Sequence, residues 1–213
     1  MPEQQIMSYL TGLAGLAVLW LIVRIATGKH PWALVIGEDG RPSTSKFQMI
    51  IWTAAVVFAF LAIFQIRFSS GYRQVLPDVP TNLLIAMGIS VATAVSAKSI
   101  AVGAQSKADA AAATAANAGA PPPPPPASQS GIFAGDSGTP DFGKVQVVLW
   151  TLIAVGVFLS EVFALINCHN CPVFDPRVGE KACTLGLPDI GQTLMILMGL
   201  GHATYIGKKI AEN

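Results

Sequence analysis

An eight-residue motif occurs twice in this chain, and this repetition constrains the fold more than any other feature of the sequence. The pattern Lys-x-Gln-x-x-x-Trp-Thr begins at Lys46 and again at Lys144, 98 positions later. Each copy opens an apolar run long enough to cross the ~30 Å hydrocarbon core of a bilayer. Because self-similarity at a fixed offset indicates a duplicated structural unit, the repeated unit predicted here is a membrane unit.

The repeat extends on both sides of the motif. Upstream, the glycines and proline of 37–43 match those of 135–141 at the same offset. Downstream, Leu-Pro-Asp at 76–78 returns at 187–189, where the offset has grown to 111. Each copy therefore predicts two helices, and the second copy carries a 13-residue insertion between them.

Composition indicates that the chain is embedded in a membrane. Of its 213 residues, 52% are hydrophobic and only 12% are charged, which is outside ordinary globular usage. Five apolar runs approach the ~20 residues that a spanning helix needs, at about 6–26, 47–66, 81–102, 145–166 and 190–210. We therefore expect an all-α integral membrane protein with five transmembrane helices: one peripheral N-terminal helix plus a tandem duplication of a two-helix unit in parallel orientation.

This organisation divides the chain into four segments. Residues 1–30 form the N-terminal transmembrane helix, and 31–106 form the first repeat, a cytoplasmic turn segment plus two transmembrane helices. Residues 107–130 are an Ala/Pro-rich cytoplasmic linker, and 131–213 form the second repeat, whose two transmembrane helices flank a Cys-containing outer loop. The six prolines at 121–126 favour a polyproline II spacer over a partner-binding tract, because no basic residue flanks them.

The distribution of basic residues predicts the orientation in the membrane. Nine Lys and Arg residues fall in 24–46, 98–144 and 208–209, and four fall in 67–80 and 167–189. By the positive-inside rule, the N-terminus is outside and the C-terminus is cytoplasmic, in a multi-pass protein of the plasma (inner) membrane. The lipid bilayer is therefore its first predicted partner.

The start of each repeat carries two further local signals. Ser43 and Asp141 follow a proline and precede the apolar run, the position of a helix N-cap. The short apolar stretches 33–36 and 131–134 lie just before these turns and are candidates for two short strands that pair with each other.

Polar residues inside the apolar runs are the first candidate site, either as a pore lining or as interhelix contacts. They are Gln48, Gln146, Thr53, Thr151, Thr93, Thr204, Glu161 and His202. An unpaired amide in lipid costs several kcal/mol, so each glutamine needs a partner. One interpretation is a hydrogen bond to Thr93 or Thr204 on a returning helix, and the other is a polar ring at a pore mouth.

Two of these residues are ionisable, and ionisable groups inside spans are functional candidates by default. Glu161 lies toward the outer end of its run, and His202 lies toward the cytoplasmic end of its own. We expect the two not to touch within one subunit, and two groups are too few for the chain that a proton relay usually needs. We expect Glu161 to face an outer vestibule or to pair with Arg177 or Lys181.

Two further sets of repeated residues are predicted to place the helices in the membrane. Interface anchors, whose long or amphipathic side chains reach the headgroups, are Lys46, Lys144, Lys98, Lys209, Trp52 and Trp150. Small residues at a spacing of four form a stripe on each returning helix, Gly88, Ala92 and Ser96 on one and Gly199, Ala203 and Gly207 on the other. Such stripes allow close helix packing, either within a protomer or between protomers.

All three cysteines fall in the insertion of the second copy. On the outer side of the membrane thiols oxidise, so a disulfide from Cys168 or Cys171 to Cys183 is the favoured interpretation, with one thiol left free or linking two subunits. A zinc site that adds His169 is the weaker alternative, because the sequence holds a single Cys-x-x-Cys pair. We expect no metal and no cofactor.

The motif inventory excludes more functions than it supports. No phosphate-binding glycine loop, metalloprotease motif or catalytic triad is recognisable, so we expect no enzyme. A net charge of +1 gives no electrostatic case for nucleic acid. The favoured function is a channel or pore-forming component that works as a homo-oligomer, because four core helices enclose too little space alone. The alternative is a non-conducting membrane anchor or scaffold that recruits a protein partner at the cytoplasmic face.

Overall fold

The computed structural model describes most of the chain, namely residues 2–36, 42–71, 75–117, 132–133, 140–167 and 186–211. Its regular structure within these ranges is helical. The five long helices are α1 (Pro2–Thr27), α2 (Thr44–Ser69), α3 (Thr81–Asn117), α4 (Phe142–Ile166) and α5 (Gln192–Ala211), and a short 3₁₀ helix covers Pro31–Val35. The predicted all-α class is confirmed for the described residues.

Four of the described helices are long and apolar enough to cross a membrane. They are α1, α2, α4 and the part of α3 from Thr81 to Ile100. The remaining 17 residues of α3, 101–117, are alanine-rich and extend the helix by ~26 Å at ~1.5 Å per residue. The fifth expected span, α5, is not among the four, because its 20 residues include glutamine, threonine, histidine and lysine.

Helices α2 to α5 form a bundle, and α1 lies on its outside. Helix α2 packs against α1, α3 and α4, whereas α5 packs against α3 and α4. Large apolar side chains from all four bundle helices meet in one core, including Trp52, Ile63, Leu83, Val162 and Met198. Burying these side chains together holds the four helices at fixed positions around the polar contacts described below.

Helix α1 approaches α2 through glycine. A Cβ built at Gly12 would lie 3.0 Å from the backbone oxygen of Phe58 and closer still to its ring, so a larger residue there would push the helices apart. Gly15 lies against Leu61 in the same way. Exposed apolar side chains cover the rest of α1, including Ile6, Leu13, Leu21 and Ile25.

The first turns of α2 and α4 are built alike. The Ser43 N–H donates to the Val35 oxygen at 2.7 Å, and the Asp141 N–H donates to the Phe133 oxygen at 2.8 Å. The two donors are 98 positions apart in the chain, and so are the two acceptors. Ser43 Oγ and Asp141 Oδ1 then accept from backbone N–H groups of the first helical turn. The two predicted N-caps are confirmed.

The segment before α2 does not form a strand. Pro31–Val35 is a 3₁₀ helix, and proline suits its first position because the ring fixes φ and the residue has no N–H to satisfy. The expected pairing of strands 33–36 and 131–134 is therefore wrong for the described parts of both. The segment at 132–133 instead contacts the start of α2, where the Thr44 Oγ1 donates to the Ile132 oxygen at 3.1 Å.

Candidate functional site

A contact between two buried polar side chains joins α2 to α5. Gln48 is fully buried, His202 is 3% exposed, and the Gln48 Nε2 lies 2.7 Å from the His202 Nε2. An amide nitrogen only donates, so in this arrangement the His202 Nε2 accepts and the neutral ring carries its proton on Nδ1. The contact brings together two predicted site residues that are 154 positions apart in the chain.

This partner of Gln48 differs from the one expected. The sequence suggested Thr93 or Thr204, but each threonine Oγ1 donates to the carbonyl four residues earlier in its own helix. A helical threonine commonly satisfies its hydroxyl in this way. The available sequence signal was membrane depth, because Gln48 and His202 are both predicted to lie on the cytoplasmic side of the centres of their apolar runs.

Four buried polar atoms around this contact have no hydrogen-bond partner among the described protein atoms. They are the Ser45 Oγ, the Gln48 Oε1, the Trp52 Nε1 and the His202 Nδ1. Three of the residues follow each other on α2 at spacings of three and four, so they lie on one helix face. We call Ser45, Gln48, Trp52 and His202 the polar seam.

The polar seam is enclosed by apolar packing. The Trp52 ring is 1% exposed and lies 6.0 Å, centroid to centroid, from the ring of Phe158 on α4. Its burial is incompatible with the predicted role of a surface anchor. The reason is that α2 has neighbours on several sides, which the apolar run alone does not reveal.

The equivalent residues of the second copy have a different environment. Gln146 and Trp150 are both half-buried. A Cβ built on Gly201 would lie 3.8 Å from the Gln146 Cγ, so this glutamine rests against α5 beside a glycine. The position matching His202 at an offset of 111 is Val91, which is exposed and has no polar group.

The remaining threonines also bond within their own helices. Thr53 Oγ1 donates to the Met49 oxygen, and Thr151 Oγ1 donates to the Val147 oxygen. Thr53 is half-buried, Thr151 is buried, and the returning-helix residue Thr204 is exposed. Within the described ranges of one protomer, the predicted polar residues thus divide into buried and exposed positions.

Glu161 lies on the surface of α4, five residues before the helix ends. Its expected basic partners, Arg177 and Lys181, fall outside the described residues. Because His202 meets the first turns of α2 and Glu161 lies near the last turn of α4, the two ionisable groups are at opposite ends of the bundle.

The predicted lysine anchors have different surroundings. The Lys46 Nζ donates to the Ile36 oxygen at 2.8 Å, which ties it to the segment before α2. Lys144 is half-buried and Lys98 is exposed. The side chain of Lys209 is outside the described part of α5.

Both small-residue stripes face away from the bundle. Four of the six residues are exposed at helix surfaces where apolar neighbours are exposed too, and the other two, Ser96 and Gly199, are half-buried. A Cβ added at Gly88, Gly199 or Gly207 would meet nothing within 4 Å. Close packing inside the protomer uses other glycines, such as Gly12, and the stripes keep their second interpretation, packing between protomers.

The cysteine cluster lies outside the described residues, as does the proline tract. The disulfide and the zinc alternative for Cys168, Cys171 and Cys183 therefore stay predictions. Among the residues that the structure describes, no three His, Cys, Asp or Glu side chains come together as a group that would hold a metal ion.

Comparison with known proteins found no matching family, no matching curated protein and no matching solved structure. The class of the protein is therefore inferred from its own sequence and structure. In the ranges that the structure describes, it is helical and has four helices long and apolar enough to span a membrane, and a polar seam lies inside its bundle.

Proposed function

We propose that this protein is a multi-pass anchor of the plasma (inner) membrane that holds a helical arm for a protein partner at the cytoplasmic face. The observation that carries this proposal is the length of α3. Only Thr81–Ile100 is apolar enough to span, yet the helix continues to Asn117. The arm, residues 101–117, extends ~26 Å past the span, and most of its described side chains are exposed.

The positions of the polar side chains support an anchor over a pore within one protomer. A conducting path needs polar groups that face water, but Gln48 and His202 face each other inside the bundle. The threonines satisfy their hydroxyls on their own helices. These contacts are those of a bundle held together by buried hydrogen bonds.

The topology proposed with this function has five spans, including α5. Near the start of α5, Asp189 Oδ2 accepts from the Asn82 Nδ2 at the start of α3. At the middle of α5, His202 meets Gln48 in the first turns of α2. Three residues further on, Tyr205 lies beside the start of α4, where a Cβ built on Gly143 would be 3.6 Å from the Tyr205 Cα. Because α5 thus runs between the two ends of the bundle, we propose that it crosses with its neighbours, with the N-terminus outside and the C-terminus cytoplasmic.

An oligomeric pore is the second candidate, and the exposed surface of the bundle favours it. Glu161 is an exposed carboxylate in a helix apolar enough to span a membrane. Charged groups in spans face water or a partner because hydrocarbon solvates them poorly. A second copy that covers this surface and the outward small-residue stripes would place Glu161 at a protein interface.

Crosslinking in native membranes tests the anchor. A photoreactive residue at Ala110, exposed on the arm, should give adducts with protein, whereas one at Leu149, 52% exposed on α4, should give adducts with lipid. Replacing 103–117 by an equal length of Gly and Ser should remove the protein adducts of a crosslinker placed at Lys98, and membrane insertion should not change. Protein adducts that persist after this replacement would contradict a binding role for the arm.

Flux through vesicles separates the two candidates. We expect purified protein, Gln48→Leu and Gln146→Leu to give the same ion and small-solute flux as protein-free vesicles. Flux above this background that changes in either variant would reject the anchor and establish an oligomeric pore.

A further inference from the structure

We infer that the polar seam is a binding site for ordered water, enclosed where α2 meets α4 and α5. This inference goes beyond the proposed function and does not depend on whether the protein anchors a partner or conducts. Its basis is the set of unpartnered polar atoms on Ser45, Gln48, Trp52 and His202, each on a side chain that is at least 97% buried.

Such a set requires a ligand, because proteins rarely leave buried polar atoms unpaired. About nine-tenths or more of buried polar groups have a hydrogen-bond partner, either protein or ordered water. An isolated exception on one side chain is unremarkable. Here the exceptions fall on three successive turns of one α2 face and on the histidine that contacts that face.

The mixture of donors and acceptors identifies the ligand. The Trp52 Nε1–H and the His202 Nδ1–H donate, the Gln48 Oε1 accepts, and the Ser45 hydroxyl does both. An anion would satisfy only the donors, and a metal cation would satisfy only the acceptors. Water both donates and accepts, and a buried water makes about three hydrogen bonds on average.

The opposite orientation of the glutamine amide leads to the same ligand. If the Gln48 oxygen faces His202, it accepts from the Nε2–H, and the free atoms become an amide N–H₂ donor and an Nδ1 acceptor. Donors and acceptors are still mixed around the seam. The conclusion therefore does not rest on which way the amide is turned.

Charge does not favour another ligand. None of the four seam residues is an acid, a lysine or an arginine. The nearest basic residue in sequence, Lys46, gives its Nζ to the Ile36 oxygen. A neutral site enclosed by aromatic and aliphatic side chains suits a small neutral molecule.

The second copy of the motif provides a matched control within the same chain. Gln146 and Trp150 occupy the same motif positions as Gln48 and Trp52, but both are half-buried and neither has an unpartnered buried atom. The residue in the place of His202 is Val91. We therefore expect an enclosed water at the first copy and none at the second.

The test uses the full-length protein in lipid nanodiscs with ¹⁵N-labelled tryptophan indoles. The chain has four tryptophans, and Trp52→Phe and Trp150→Phe assign the indole signals of these two residues. We expect the Trp52 Hε1 to show direct cross-relaxation with water, distinguished from proton exchange by its opposite sign in the rotating frame. Cross-peaks from Trp52 to lipid or to protein protons alone would overturn the inference.

A variant pair adds a second measurement. Gln48→Leu combined with His202→Leu removes polar atoms from both sides of the seam, and we expect the water cross-peak of Trp52 to be lost. Gln146→Leu should leave it unchanged. If the double variant does not fold, the wild-type spectrum decides alone, and a water cross-peak that survives in a folded double variant would overturn the assignment of the ligand to these side chains.

Discussion

Helices α2 and α4 open with the same motif, yet the motif residues differ in burial and in hydrogen bonding between the two helices. In α2 the motif glutamine and tryptophan, Gln48 and Trp52, are buried, and the glutamine bonds to another helix. In α4 the same positions, Gln146 and Trp150, are half-buried. The shared motif therefore goes with a similar first helical turn in both copies, but its side chains have different surroundings.

The neighbours of each helix explain the difference. Helix α2 has α1 on one side and α3 and α4 on others, whereas α4 packs mainly on α2 and α5. Helix α1 has no second copy in the sequence. Gln48 and Trp52 are covered by His202 on α5 and Phe158 on α4, and Val91 takes the place of His202 on the other returning helix. The two similar segments are therefore unequal, and the following substitutions measure how unequal they are.

The largest difference should be at the tryptophans. Trp52→Ala removes a 1% exposed ring that packs on Phe158 and leaves a cavity, which should cost ~3–5 kcal/mol of unfolding free energy. Trp150→Ala removes a half-buried ring and should cost about half as much or less. Titration with a denaturing detergent measures both, and equal losses would contradict the difference in burial.

The buried contact between α2 and α5 should give the next largest effect. His202→Leu leaves the Gln48 amide buried without its partner, which should cost ~1–3 kcal/mol. Gln146→Leu, the matched control, should stay within ~0.5 kcal/mol of wild type. Adding Gln48→Leu to His202→Leu should recover part of the loss, because both polar groups are then gone, and a simple sum of the two single losses would rule out a direct contact.

At the helix N-caps, the larger loss of stability should come from the second copy, in contrast to the tryptophans and glutamines. Asp141 is buried and accepts from the Gly143 N–H at 2.9 Å, whereas Ser43 accepts from the Lys46 N–H at 3.4 Å. Asp141→Ala should cost ~1–2 kcal/mol, and Ser43→Ala should cost ~0.5–1 kcal/mol. Amide hydrogen exchange in the first turns of α2 and α4 measures both effects. A larger acceleration of exchange by Ser43→Ala in α2 than by Asp141→Ala in α4 would contradict this order.

The small-residue stripes should give the smallest effect on the protomer. Gly88→Ala and Gly199→Ala add a methyl group that meets nothing within 4 Å, so unfolding of the monomer should change by less than ~0.5 kcal/mol. Gly12→Ala is the control, because its methyl would press on Phe58 and should cost ~1–3 kcal/mol. A large loss at Gly88 or Gly199 in monomeric protein would show that the stripe is packed within the protomer.

Local features were predictable from the sequence. Capping residues and the length of the apolar runs indicated where α2 and α4 begin. These signals work because a helix boundary depends on a few neighbouring residues. The structure carries α3 to Asn117, so the helix includes the first part of the segment 107–130 that the sequence assigned to the linker.

Long-range features were not predictable in the same way. The helices are apolar on nearly all sides, so periodicity does not mark the face that is buried, and the burial of Trp52 could not be read from the chain. The contact of Gln48 with His202 depends on which helices become neighbours. Thr93 and Thr204 were reasonable partners for Gln48 by depth, but their hydroxyls were already satisfied within their helices.

The separation of Gln48 and His202 along the chain also has a consequence for biosynthesis. The two residues are 154 positions apart, and at about 5–20 residues per second a ribosome needs ~8–30 s to add that length. During this interval α2 has left the ribosome while the histidine that will meet its glutamine does not yet exist. The buried face of α2 must therefore be shielded from lipid, by the insertion machinery or by water, until α5 has been synthesised.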